Sequence, residues 1–487
     1  MKQYKVIVIG AGFSGICMGI KLRQMGIDDF VILEKAQGLG GTWRENTYPG
    51  AECDIPSALY SYSFEHNDKW EYKWSGQRQI LKYQQDTAAK YRLNDNIQFG
   101  TEVKASTFDA QDNRWLVETS QGEQIVAQHL VAGVGQLHHP ATPKFAGQDQ
   151  FRGHQFHSAQ WQHDVDLRGK RVAVIGNAAS AVQFIPEIAR DVAHLTIFQR
   201  SANWVIPKVD KPYTRFDQWV SKHFPPITKL YRFGLWLRGE GVVLPAIRGN
   251  RLARWILHTW NRRSLKEHIS DPELREKLTP AYPVGAKRIL FSDNYYPALA
   301  RENVHLETEP IERFTEHGIR YGKDQQANFD VIIYGTGFKT NPFLAPMHIT
   351  GLDGQTLHES WREGAHAYFG VATAGFPNLH MLYGPNTNLG HNSIIIMIEA
   401  QVAHITRCIQ RLDDRSLAAM DIKPEVEASF NQALQQRLGA LAFSKVENSW
   451  YMDGGKITNN WAGSTQEYRR RLRKIDWQHY NYRPIAN

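Results

Sequence analysis

The sequence predicts an α/β protein built on two βαβ units, with a helical insertion in the second. Three observations predict this. Gly10-Ala11-Gly12-Phe13-Ser14-Gly15 follows one apolar β-rich run and opens a helical pattern. Gly176-Asn177-Ala178-Ala179-Ser180-Ala181 repeats that arrangement. Residues 207–284 then read as basic, aromatic, helical sequence between strand-like segments.

The elements follow in order. Tyr4–Ile9 is a strand, Ser14–Met25 has helical spacing and stops at Gly26, and Phe30–Leu33 is a strand ending at Glu34. Residues 98–135 alternate apolar and polar and end in HLVAGVG, a β-meander returning to the same sheet. Pro140 and Pro143 mark a linker. Arg171–Ile175, Ala178–Arg190 and Leu195–Phe198 form the second strand, helix and strand, with Pro186 expected to kink or divide the helix. Residues 303–334 return to strands ending in DVIIYGTG, and a long C-terminal segment begins near Phe376.

Composition narrows the class. At 487 residues the chain has room for two to four domains. Hydrophobic residues at 42 % and charged residues at 22 % exclude disorder as the main state. Cys17, Cys53 and Cys408 form no C-x-x-C, which excludes a zinc ribbon and a dithiol redox centre. No apolar run approaches the ~20 residues of a membrane span. The strand pattern starts at once, without room for a signal peptide. A cytoplasmic enzyme without a metal site is the expectation. The net charge of +8 is local: residues 205–270 hold 13 Lys/Arg against 4 Asp/Glu, interleaved with tryptophans. A solvated helical subdomain, peripheral contact with an anionic membrane, and nucleic-acid binding all produce such a stretch. No nucleic-acid-binding motif accompanies it.

The two glycine turns are phosphate cradles. The first glycine makes the tight turn, the second admits a pyrophosphate to the backbone, and the third lets helix and strand pack. The helix N-terminus then faces the phosphates. Glu34 stands 24 residues after Gly10, where a carboxylate takes a ribose diol. Arg200 stands at the same offset from Gly176, where a guanidinium pairs with a 2′-phosphate. The contrast predicts FAD on Gly10, Gly12, Gly15 and Glu34, and NADPH on Gly176, Ser180 and Arg200. Ala178 departs from the pattern, its methyl standing where the second glycine is usual.

The chain resembles the class B flavoprotein monooxygenases, most closely the type I Baeyer–Villiger monooxygenases. Phe151 to Trp161 (FRGHQFHSAQW) fits the family fingerprint F-x-G-x-x-x-H-x-x-x-W, and Trp161 favours the Baeyer–Villiger branch, although Gln162 replaces the usual Pro or Asp. GGTWRENTYPGAECD, AKRILFSDNYYPAL, YGTGF, YGPNTNLGHNS and SWYMDGGKITNNW follow in family order. The resemblance implies two Rossmann-like domains, one for FAD and one for NADP. It implies an FAD-binding domain at 1–148 and 378–487, an NADP-binding domain at 149–206 and 285–377, and a helical subdomain at 207–284. It implies that Arg288 sits beside the flavin and steadies its C(4a)-peroxide, and that Asp54 positions Arg288. Thr42 and Trp43 are implied to bind the flavin, Lys287 to join Arg200 on the 2′-phosphate, and Trp450 to fold over NADP. His157 and Gly153 are implied to lie on an interdomain linker, and His391 to pack near the flavin. The implied reaction consumes NADPH and O2 and inserts one oxygen atom into a small-molecule ketone. N- or S-oxide formation, and a flavin-binding protein or slow NADPH oxidase without productive oxygenation, remain the alternatives.

Overall fold

The computed structural model describes residues 1–446 and 451–485. Two sheets organise the chain, each grown from one βαβ unit. In the first, Lys2–Ile9 pairs in parallel with Phe30–Leu33 on one side and Gln124–Ala132 on the other. The end of Lys2–Ile9 and all of Phe30–Leu33 are buried on both faces, so these runs are continuously apolar. Val103–Asp109, Arg114–Thr119 and Gln124–Ala132 form the expected antiparallel meander, and they bury alternate side chains. Trp115 in the middle strand is fully buried and donates Nε1–H to the Pro377 carbonyl at 2.8 Å. That bond ties the meander to the chain's return, where Leu379–Met381 pairs with Gln124–Ala132.

The second sheet is wholly parallel, in the order Val304–Glu307, His194–Phe198, Arg171–Ile175, Val331–Tyr334, His154–His157. The helix Ala179–Ile188 passes through Pro186 undivided. The proline falls in its last turn, and the helix ends two residues later. Phe151 and Trp161 of the fingerprint pack on opposite sides of the edge strand, Phe151 against Phe314 and Trp161 against Phe156 and Phe184.

One strand departs from the expected partition. His348–Thr350 lies within 285–377 yet pairs in parallel with Ala105–Thr107 of the first sheet. It covers the open edge of the meander, which would otherwise present unpaired backbone groups. The segment 207–284 is helical throughout its regular parts: Arg215–His223, Pro225–Arg238, Leu244–Ile247, Arg251–His268 and Pro272–Lys277, with a wide π-type turn at Gly239–Val243. The long helix Ile394–Asp414 packs on Phe13–Gln24, burying Ile395, Ile398, Val402, Ile405 and Ile409 at helical spacing.

Trp115→Ala should remove a fully buried indole and orphan the Pro377 carbonyl, a loss of about 3–5 kcal/mol for the aromatic alone. The expected outcome is a clearly lower melting temperature for the purified protein; an unchanged one would contradict the packing described.

Candidate active site

A cavity of about 1220 Å³ opens where the carboxyl ends of both parallel strand sets converge, the position at which open α/β sheets receive ligands. Its volume exceeds the several hundred Å³ common for one small ligand.

The first cradle forms one wall. Gly10 has φ +97°, and a Cβ there would lie 2.8 Å from the Gly133 carbonyl oxygen. A Cβ on Gly15 would lie 1.8 Å from the Gly10 carbonyl oxygen, so this glycine is demanded by helix–strand packing behind the cavity. Gly12 differs: a Cβ there would meet nothing closer than the Gly41 Cα at 3.6 Å. Folding does not require Gly12, and its bareness leaves space on the cavity wall that it lines. Glu34 closes the next strand, buried, accepting from the Ala11 N–H at 2.7 Å and the Ala36 N–H at 2.9 Å. No cation pairs with it among the described residues. Thr42 and Trp43 start the short helix Thr42–Glu45 on the adjoining wall, where the indole donates to the Tyr60 hydroxyl at 3.2 Å. Gln136 also lines the cavity: its Nε2 donates to the Tyr383 carbonyl, while its buried Oε1 has no partner among the described residues. A bare second glycine, a carboxylate at the strand end and an orphaned acceptor fit a dinucleotide with ribose hydroxyls.

The second cradle forms the opposite wall. Gly176 has φ +101°, and a Cβ there would meet the Gly335 carbonyl oxygen at 2.5 Å, as Gly10 would meet Gly133. Ala181 occupies the third-glycine position, and a Cβ on Gly335 would come within 3.0 Å of the Ala181 methyl. Ala178 faces the cavity, exposed. Ser180 lines it beside Tyr48. Arg200 lies beside Lys287, whose Nζ donates to Ser201 Oγ at 3.0 Å and sits 4.7 Å from the Tyr282 ring centroid. Burial, and then the Arg200 charge, push the Lys287 pKa down. Neither cation has a carboxylate partner among the described residues. Two cations held together without a counterion fit an anion, here a phosphate.

Between the cradles, Arg288 donates Nε–H to Asp54 Oδ2 at 2.5 Å and Nη2–H to Asp54 Oδ1 at 2.7 Å. The side chains are 30 % and 17 % exposed, both on the cavity wall. Desolvation opposes the Arg288 charge, but Asp54 more than offsets it, so the pKa moves up. Tyr383 and Tyr451 lie near enough to influence the Arg288 charge, and burial holds the Tyr451 hydroxyl up at about 12. The loop that carries Asp54 grips the second unit at further points. Tyr48 donates to Gln183 Oε1 at 2.8 Å, Gln183 Nε2 donates to the Glu52 carbonyl at 3.0 Å, and Lys208 Nζ meets Glu52 Oε2 at 2.5 Å.

His157 stands apart from this chemistry. Its Nδ1 accepts from the Ala159 N–H, and burial lowers its pKa. His391 is buried 3.5 Å from Glu240. Trp450 lies outside the described residues. Sequence reasoning missed Tyr383, Tyr451, Gln136, Gln183 and the Glu52–Lys208 pair. The tyrosines lie in quoted family segments, where no role was assigned to them. The remaining contacts span more than a hundred residues of sequence and leave no local signal.

Comparison with known proteins is consistent along the chain. A profile of the pyridine nucleotide-disulphide oxidoreductases matches residues 7–229, although Cys17, Cys53 and Cys408 are free and buried. A Baeyer–Villiger monooxygenase of Pseudomonas aeruginosa is 42 % identical over 486 residues, covering 99 % of this chain and 92 % of that one. An oxidized steroid monooxygenase bound to NADP superposes with a TM-score of 0.89 at 31 % identity, over 99 % of this chain and 100 % of that one. OTEMO in complex with FAD and NADP gives a TM-score of 0.88 at 27 % identity, over 98 % and 99 %.

The two glycine positions predict opposite phenotypes. Gly15→Ala should abolish soluble, folded protein. Gly12→Ala should fold with an unchanged melting temperature when stripped of dinucleotide and lose dinucleotide affinity by about tenfold or more, the effect of one overpacked methyl. Equal stability losses for both, read by thermal unfolding, would contradict this assignment.

Proposed function

The chain belongs to the Baeyer–Villiger monooxygenases, and from that premise we propose that it holds FAD in the first cradle and NADPH in the second and inserts one atom of O2 into a ketone. The product is an ester or lactone. The observation that carries this reading is the Arg288–Asp54 pair, a fixed cation held on the cavity wall between the cradles. The flavin, when bound, supplies the redox chemistry: it accepts hydride from the nicotinamide and activates dioxygen.

The protein supplies binding, orientation and charge. Glu34 is fixed by two backbone N–H groups and keeps lone pairs for ribose hydroxyls, while its charge repels a 2′-phosphate. Arg200 and Lys287 hold the 2′-phosphate that distinguishes NADPH from NADH. Arg288 uses Nε and Nη2 on Asp54, which leaves Nη1 free of that carboxylate. A permanently charged guanidinium stabilises negative charge that develops on oxygen during attack at a carbonyl. Asp54 fixes its plane without removing its proton. Ile394 and Ile398 line the same cavity with apolar side chains.

Offering the purified enzyme NADPH with a cyclic ketone beside a thioether tests the reaction class. Ester or lactone is the expected product from the ketone; sulfoxide alone would overturn the reading. Arg288→Ala should retain bound flavin and its reduction by NADPH, yet lower ester formation by roughly 10²–10³-fold, the loss typical of a missing oxyanion stabiliser. Arg200→Ala with Lys287→Ala should raise KM for NADPH by roughly ten- to a hundredfold, as two charge-assisted bonds are lost, and leave KM for NADH nearly unchanged.

A further inference from the structure

We propose that the helical insertion is a docking surface for an anionic lipid bilayer. Its outer helices invert the usual arrangement of an amphipathic helix. Arg215–His223 and Pro225–Arg238 contain no buried residue. Ile227, Leu230, Phe233 and Leu237 recur at helical spacing on one face, and each is at least half exposed. Eleven of the seventeen exposed large apolar side chains among the described residues lie between Phe216 and Trp260. An apolar patch of this kind marks a surface that is covered in use.

The charge identifies what covers it. Residues 218–266 contain ten Lys/Arg and one carboxylate, Glu240. Glu240 turns inward, accepting from the Thr465 N–H at 3.0 Å and Asn392 Nδ2 at 3.2 Å. Lys222, Lys229, Arg251 and Arg263 have no carboxylate partner among the described residues. A second copy of this face would bring like charges together. A nucleic acid would neutralise the cations but leave the Leu230 and Phe233 side chains in water. A bilayer carrying anionic headgroups satisfies both: the aliphatic and aromatic groups enter the interface, and the cations meet the phosphates. Among the described residues no helix is long and apolar enough to cross a membrane, so the contact is one of lying on the surface.

Co-sedimentation of the purified holoenzyme with vesicles tests this independently of the reaction it catalyses. Vesicles of phosphatidylcholine alone are compared with phosphatidylcholine plus phosphatidylglycerol, at low and high salt. The expected result is binding to the anionic vesicles only, reversed by salt. Lys222→Glu with Lys229→Glu, and Leu230→Ser with Phe233→Ser, should each weaken partitioning by about tenfold or more, with melting temperature as the control for folding. Failure of the unmodified protein to bind anionic vesicles, equal binding to neutral ones, or full binding by either well-folded variant would overturn the proposal. So would a stable dimer that the Leu230→Ser and Phe233→Ser changes dissociate.

Discussion

The bidentate pair between Arg288 and Asp54 is the constraint on which the rest of the site depends. Its partners come from opposite ends of the architecture, 234 residues apart. Asp54 belongs to the loop following the first cradle, and Arg288 to the segment that leaves the helical insertion. A part-buried cation needs a counter-charge, and removing one partner leaves the other desolvated and unpaired. The pair therefore joins the two halves and fixes a positive charge at their seam. Tyr48, Gln183, Glu52 and Lys208 extend the same clasp along the loop. The wall of the cavity is thus held from both sides.

The two cradles share one backbone solution and differ in charge. Gly10 against Gly133 and Gly176 against Gly335 make the same close turn. Beyond that turn, a carboxylate stands in one, and in the other two cations that have no carboxylate partner among the described residues. This difference in sign is what would sort two chemically similar dinucleotides into different places. Substrate binding is then a matter for the space between them.

Much of this is legible in the residues, because cradles are local. Strand, glycine turn and helix fall within thirty residues, and Glu34 and Arg200 sit at a fixed offset from their turns. The contact between Ala181 and Gly335 was not legible, since Gly335 follows a distant strand. The pairing of His348–Thr350 with the first sheet was also hidden, because three residues carry too little periodicity to declare a partner. Arg288 and Asp54 emerged through resemblance, and only the fold brings them into contact. Tyr383 and Tyr451 show the limit most clearly: an aromatic in sequence looks the same whether it fills a core or lies near a guanidinium.

Arg288 and Asp54 are expected to act as one unit in oxygen transfer. A double-mutant cycle tests it most directly, with ester formed per NADPH consumed as the readout for wild type, Arg288→Ala, Asp54→Ala and the double variant. Strong non-additivity is expected: once Arg288 is gone, removing Asp54 changes the yield little further. Independent, additive losses from the two substitutions would contradict it.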